Sequence, residues 1–318
     1  ADLSALTLSS GPLSPTFASG TTAYTASVAN AVSSITVTPT RAQADATTEA
    51  RVNGGTYAAG TSGSASGTLA LNVGSNTVEV RVTAQDGVTQ KTYTVIVTRM
   101  AAPTVTNPTA ASVTTTGATL GGNVAADGGA VITERGVVYS ATTTNSDPLI
   151  GGGGVVKVIG AGTTGVFTVA ATGLAQGTGY SFKAYAINSQ GTSYTSVSTF
   201  TTLSTNADLS SLTLSSGSLS PAFASGTTTY TASVANVISS ITVTPIRAQA
   251  NATIEARING GSYTSVSSGS ASAALPLNVD GNTVEVRVTA QDGVTQKTYT
   301  VTVNRLRSYL WAGFAGTA

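Results

Sequence analysis

Apolar and polar residues alternate along short stretches of this chain with a period of two. The clearest stretch is Thr77-Val78-Glu79-Val80-Arg81-Val82-Thr83. Val78, Val80 and Val82 fall on one face, and Glu79 and Arg81 share the other with Thr77 and Thr83. Such alternation predicts a strand with one buried side. Asp86-Gly87 follows as a hairpin-turn signal, and Lys91 to Arg99 is the returning strand, with Tyr93, Val95 and Val97 inward. Tyr24–Val28, Ile35–Thr38 and Leu69–Val73 read as further strands. No helical period persists anywhere. Short strands punctuated by turn residues at intervals of about 8–12 positions predict β-sandwiches.

The pattern repeats. Ala1-Asp2-Leu3-Ser4 returns as Ala207-Asp208-Leu209-Ser210, an offset of 206 (208 minus 2), and the alignment runs without a gap to Arg99 and Arg305. Substitutions respect the strand phase: outward Ile96 becomes Thr302, while Tyr299, Val301 and Val303 keep the inward face apolar. Ala70 becomes Pro276, which has no N–H to give and predicts an edge strand. The chain therefore divides into a first sandwich (1–99), an unrelated middle (100–203), a second copy of the first (204–305) and a tail (306–318). The linkers Met100–Pro103 and Leu203–Asn206 are short. The expected fold class is all-β: three tandem immunoglobulin-like β-sandwich domains in a semi-rigid rod. Strands of about 8–10 residues make each domain around 30 Å long and the rod on the order of 100 Å.

Composition narrows the chemistry. The chain is 41% hydrophobic and only 8% charged, with a net charge of +1 and 35 glycines. Its polar surface is therefore built from Thr, Ser, Asn and Gly. No basic cluster marks a nucleic-acid partner, and no apolar run of about 18 residues marks a membrane span. Cysteine and histidine are both absent, which removes disulfides, thiolate chemistry and the usual zinc ligands. Rich in Thr, Ser and Gly and poor in charge, the chain reads as a secreted or cell-surface bacterial protein. Its first residue is Ala1, so either a signal peptide has been removed or the sequence is part of a longer one.

No catalytic constellation emerges. A serine nucleophile lacks a histidine base, and Lys91, Lys157, Lys183 and Lys297 sit at strand positions expected to face solvent. Glu79 beside Arg81 and Glu49 beside Arg51 read as ion pairs on a sheet face rather than as paired acids. With 13 acidic residues and no D-x-D-x-D-G run, only loop carbonyls are left to assemble a calcium site. Asp86-Gly87, Asp127-Gly128, Asp280-Gly281 and Asp292-Gly293 are each accounted for as turns. Gly151–Gly154 marks a lengthened loop, without the Gly-Lys-Ser/Thr of a phosphate loop. The expectation is no enzyme and no cofactor.

Several spaced elements of the two copies resemble the bacterial cadherin-like β-sandwich domain. They are Leu6-Thr7-Leu8-Ser9, Leu13-Ser14-Pro15-Thr16-Phe17, Tyr24, Val52-Asn53-Gly54, Leu71-Asn72-Val73-Gly74 and Val82 through Gly87, with their counterparts from Leu212 to Arg305. The middle resembles a bacterial fibronectin type III-like domain. Its cues are Pro103, Ala118 to Val124, Arg135 to Ser140 and the run from Tyr180 to Thr192, with Tyr180 in the place of the corner tyrosine of such sandwiches. The resemblance implies modules of secreted and surface proteins that act as spacers or in adhesion.

After Arg305 the repeat stops, and the tail that follows holds the chain's only tryptophan. Docked on its own domain or loose, such a tail is inert. Donated to a neighbouring subunit, it is an assembly element. On that second reading the assembly residues are Leu306, Tyr309, Leu310, Trp311 and Phe314, offered to a groove where Leu3, Leu6 and Leu8 begin the first sandwich. The expected function is that of a structural surface module, a rod or filament subunit. Its partner is itself, head to tail, or another cell-surface component. The alternatives are an adhesin or a carbohydrate- or receptor-binding module, with the loop Gly151–Gly162 as its site, and a non-catalytic arm of a larger secreted protein.

Overall fold

The computed structural model describes residues 1–308. Its regular structure is entirely strand. Strands pair in three sets.

The first set comprises β1 (Leu3–Leu8), β2 (Ala23–Val28), β3 (Ser34–Ile35), β4 (Val37–Arg41), β5 (Thr47–Val52), β6 (Ala58–Gly60), β7 (Leu69–Ala70), β8 (Gly74–Thr83) and β9 (Gln90–Arg99). One layer is a five-stranded sheet in the order β2-β9-β8-β5-β6. The other is made of β1 on β4 and β7 on β3. The alternation read from the sequence fixes the register: Val78, Val80, Val82, Tyr93, Val95 and Val97 are all fully buried. They pack against Leu3, Leu6, Ile35, Val37, Leu69 and Leu71 of the second layer. Each such Val contributes about 1.5–3 kcal/mol relative to exposure. The strand expected over Leu69–Val73 is only Leu69–Ala70, with one further bond in the same register from the Leu71 N–H to Ser33 O at 2.8 Å.

The middle set comprises β10 (Thr104–Ala111), β11 (Gly117–Ala126), β12 (Glu134–Ala141), β13 (Val156–Gly160), β14 (Gly165–Thr172), β15 (Gly179–Asn188), β16 (Gly191–Tyr194) and β17 (Ser198–Thr201). Three strands, β10-β11-β14, face a sheet ordered β13-β12-β15-β16, with β17 also on β15. This is a fibronectin type III-like sandwich. Tyr180 is buried and meets Tyr139 edge-on, with centroids 6.3 Å apart. Residues 151–162, expected to be a loop, contain β13.

The third set repeats the first: β18 (Leu209–Leu214), β19 (Thr229–Val234), β20 (Ser240–Ile241), β21 (Val243–Arg247), β22 (Thr253–Ile258), β23 (Thr264–Ser265), β24 (Leu275–Pro276), β25 (Asp280–Thr289) and β26 (Gln296–Arg305). Pro276 lies in β24, which pairs only with β20, the edge position its missing N–H requires. By compactness alone the chain divides into two units, and the cut falls inside β11, β14, β15 and β17. A strand cannot be shared between two folding units, so the hydrogen-bond ladders are the better guide.

Candidate assembly surface

The surface singled out in the sequence lies along β1. This strand has one ladder partner, β4, with Leu6 opposite Pro39 and Leu8 opposite Val37. Proline cannot donate, so Leu6 and Pro39 form a non-hydrogen-bonded pair. By the alternation of antiparallel ladders, Leu8 and Val37 form another. The N–H and C=O groups of Leu6 and Leu8 therefore point away from β4. No further backbone bond takes them up among the described residues. They face a groove of about 360 Å³ lined by Leu6, Thr7, Leu8, Gly11, Leu13 and Phe17. Phe17 is held in its wall by stacking on Tyr24, at 6.0 Å between centroids. The same groove, about 390 Å³, recurs beside β18 with Leu212, Leu214, Leu219 and Phe223, where Pro245 stands opposite Leu212.

The expected assembly residues separate. Leu3 and Leu6 are 0% and 2% exposed. Their side chains fill their own core, because the inward phase of β1 claims them, and a partner is left the backbone edge. Leu8 is partly buried at the rim. Leu306 is 49% exposed. Its N–H bonds Val234 O at 3.0 Å and its carbonyl accepts from Asn236 at 2.9 Å. Tyr309, Leu310, Trp311 and Phe314 lie outside the described residues.

Ion pairs fasten neighbouring strands. On the outer face of the first sandwich, Arg51 pairs with Glu79 and Arg81 with Glu49, each at 2.6 Å. The partners are exchanged across β5 and β8, because Glu49 is in register with Arg81 and Arg51 with Glu79. Both guanidiniums lie over the Tyr57 ring, 4.3 and 4.0 Å from its centre. The third sandwich repeats this with Arg257, Glu285, Arg287, Glu255 and Tyr263. Lys91 bonds Asp2 at 2.7 Å, which lowers the Asp2 carboxyl below its usual range.

Two expectations need correction. Lys183 does not face solvent: its side chain is 12% exposed and paired with Asp147, because its neighbours on β15 are buried on both faces. Asp280-Gly281 is not a turn but the start of β25, where Asp280 receives two bonds from Arg307 at 2.8 and 2.6 Å. Asp86-Gly87 is a turn. Asp86 accepts from Thr89 Oγ1 and from the Val88 and Thr89 N–H groups, bonds that hold its carboxyl down at about 2.

In the middle sandwich the Tyr185 hydroxyl donates to Glu134 at 2.8 Å. Burial, then this bond, pushes the Tyr185 phenol far up. Arg135 is 6% exposed and gives its guanidinium to the carbonyls of Ala161, Thr163, Thr164 and Gly165. It fastens the turn between β13 and β14. No group of three or more metal-ligating side chains occurs among the described residues.

Sequence reasoning missed Asn76, 1% exposed in the first core. Its amide donates to Asn72 O, Gly74 O and Val97 O, and its oxygen accepts from Asn72 N–H and Asn53 Nδ2. Asn282 rebuilds this hub with Asn278, Asp280, Val303 and Asn259. The signal was in the sequence: all three asparagines recur at the 206-residue offset.

Comparison with known proteins agrees with the two-copy plan. The model of the cadherin-like beta sandwich domain matches residues 3–100 and 209–306, together more than half of the chain. The chain belongs to this family. A protein of Evansella cellulosilytica described as a membrane protein is 36% identical over 104 residues, 33% of this chain. The match spans 14% of that relative's length. Among solved structures, the FN1–FN3 domains of chicken CNTN1 are similar over 94% of this chain and 98% of their own, at 11% identity and a TM-score of 0.34. Three domains of titin (A168–A170) cover 53% of this chain and 57% of theirs, at 20% identity and a TM-score of 0.29. Both scores are low, and the fold rests on the ladders described above.

Proposed function

We propose that this chain is an extracellular structural module of a bacterial surface, and that its two outer sandwiches resist force along the chain. The observation that carries this reading is the parallel ladder in each of them. The chain enters the first sandwich beside the start of β9, where Asp2 meets Lys91. It leaves from the end of β9 at Arg99, eight residues on (99 minus 91) and about 26 Å further along the strand. β2 runs parallel to β9 over six registered pairs, from Ala23↔Thr94 to Val28↔Arg99. The Thr94 N–H to Thr22 O bond (2.7 Å) and the Met100 N–H to Val28 O bond (2.9 Å) close the two ends of the ladder. Tension between the two ends of the sandwich draws β9 lengthwise past β2, and β1 lengthwise past β4. Whole ladders must then yield together instead of opening rung by rung.

The third sandwich has the same construction, with Lys297 on Asp208 and six parallel pairs between β19 and β26. Family membership supports the extracellular, structural setting. The Arg–Glu–Tyr ladder braces β5 against β8 on the outer face.

The chain contains no cysteine, so cysteine pairs make unique pulling handles. Handles at Ala1→Cys and Met100→Cys load the ladders in shear, and handles at Ser75→Cys and Thr98→Cys unzip the β8–β9 hairpin. In single-molecule pulling the first geometry is expected to need several times the force of the second. Equal forces would overturn the proposal.

A further inference from the structure

We infer that the groove beside β1 is the docking site for residues 309–318 of a second copy of this chain, which add to β1 as an extra strand. This rests on the structural reading above but draws on different residues. Three observations carry it. The first is the open edge: Pro39 forces Leu6 and Leu8 to aim their N–H and C=O groups into the groove, which offers an incoming strand a ladder at regular two-residue spacing. The second is the wall. Leu8, Leu13 and Phe17 are apolar and only partly buried, and no charged side chain lines the groove.

The third is the occupant. Residues 309–318 read Tyr-Leu-Trp-Ala-Gly-Phe-Ala-Gly-Thr-Ala, without a charge and with four large apolar side chains in six positions. Extended, ten residues reach about 33 Å, against about 20 Å for the six of β1. In such a strand Leu310, Ala312 and Phe314 fall on one face and Tyr309 and Trp311 on the other.

The tail follows the third sandwich, and the donor assigned to the groove of the first is the tail of a second copy. Residue 306 leaves the third sandwich from the end of β26, which lies between β19 and β25. The groove of that sandwich opens at Gly217, packed on Ser233 and Val234 at the end of β19. Arg307 is tied to Asp280 on the β25 side by two bonds, while Leu306 stays bonded to Val234 and Asn236 at the end of β19. The two equivalent grooves differ at two lining positions, Pro12 and Thr16 in the first against Ser218 and Ala222 in the third, and the wall of the first is on balance the more apolar. The more apolar one, beside β1, is the acceptor.

Trp311 is the only tryptophan, so its emission reports docking directly in the full chain. Sedimentation and Trp emission are to be followed together over rising concentration. The expected result is association accompanied by a blue shift. Leu8→Pro removes an outward N–H without touching the β1–β4 bonds and should weaken association at least tenfold. Leu214→Pro, its counterpart in the third sandwich, should leave it unchanged, and deletion of residues 309–318 should abolish it.

A full chain that stays monomeric, or a blue shift independent of concentration, would overturn the inference. So would association that survives the deletion or a folded Leu8→Pro chain. If Leu8→Pro fails to fold by circular dichroism, Leu13→Asp at the groove rim takes its place with the same expectation. The shear-against-unzip force ratio does not depend on docking, so failure here leaves the mechanical reading standing, and failure there leaves this one.

Discussion

The first and third sandwiches are one architecture carried by two sequences, and the positions where they part are instructive. Thr48 is 2% exposed and gives its hydroxyl to Gly60 O at 3.1 Å. In the third sandwich the same two places hold Ile254 and Val266, both buried in the core cluster. One copy thus satisfies a buried hydroxyl with a carbonyl, and the other replaces donor and neighbour together with apolar groups. Thr48→Ile alone would remove the bond to the Gly60 carbonyl, and Gly60→Val alone would set an apolar side chain 3.4 Å from the Thr48 hydroxyl. By contrast, the asparagine hub, the Tyr93 and Tyr299 hydroxyl bonds and the parallel ladders are kept unchanged. Side-chain packing is free to vary in pairs, while the groups that hold backbone polar atoms in the interior are not.

The sharpest way to break this comparison is at the hub. Asn76→Ala strands the Asn72 N–H and three carbonyls. It should destabilise the first sandwich by about 3 kcal/mol, and Asn282→Ala should cost the third sandwich the same. Hydrogen exchange of each sandwich within the whole chain measures both, and unequal costs would show that the copies are not one architecture.

Next is the tyrosine hydroxyl that accepts from Leu3 N–H at 3.0 Å, and in the third sandwich from Leu209 N–H at 2.9 Å. Tyr93→Phe and Tyr299→Phe should each cost roughly 1–3 kcal/mol by leaving that buried N–H unpaired. Urea unfolding of the two variants checks it.

Smaller still is the coupling between the exchanged pair. Thr48→Ile together with Gly60→Val should cost less than the sum of the two single changes, by roughly 1 kcal/mol. A double-mutant cycle with no coupling would mean that the two positions vary independently.

The smallest effect is at the turns. Asp86 is held at about 2, and Asp292 is likewise lowered, by bonds from Thr89 and Thr295. Groups lowered in this way add stability above their unfolded value of about 3.9 and lose it as pH falls toward the folded value. Asp86→Asn should therefore narrow the stability difference between pH 5 and pH 2 in melting experiments. Asp292→Asn should narrow it in the same direction, through the equivalent bonds from Val294 and Thr295.

Much of this was legible in the sequence because alternation and duplication are local or self-referential signals. Val78, Val80, Val82, Tyr93, Val95 and Val97 could be placed inward from spacing alone. What the sequence could not show is pairing between distant strands. The exchange of partners among Glu49, Arg51, Glu79 and Arg81 depends on the register of β5 against β8. The parallel run of β2 on β9 depends on the crossing of residues 9–22 from one sheet to the other. Leu3 and Leu6 were singled out for apolarity, yet the phase of β1 puts their side chains into their own core and leaves the edge opposite Pro39 as the available feature. Lys183 was expected to face solvent, because a strand buried on both faces looks locally like one buried on a single face.

The most direct test of the central claim is to pull the whole chain from Ala1→Cys to Arg307→Cys. Beside the event of the middle sandwich, the account predicts two unfolding events indistinguishable in force, each releasing about 300 Å of chain, roughly 97 residues at ~3.4 Å less the folded length. Both should lie well above the force that unzips the β8–β9 hairpin. Two outer sandwiches that yield at clearly different forces, or at the unzipping force, would contradict it.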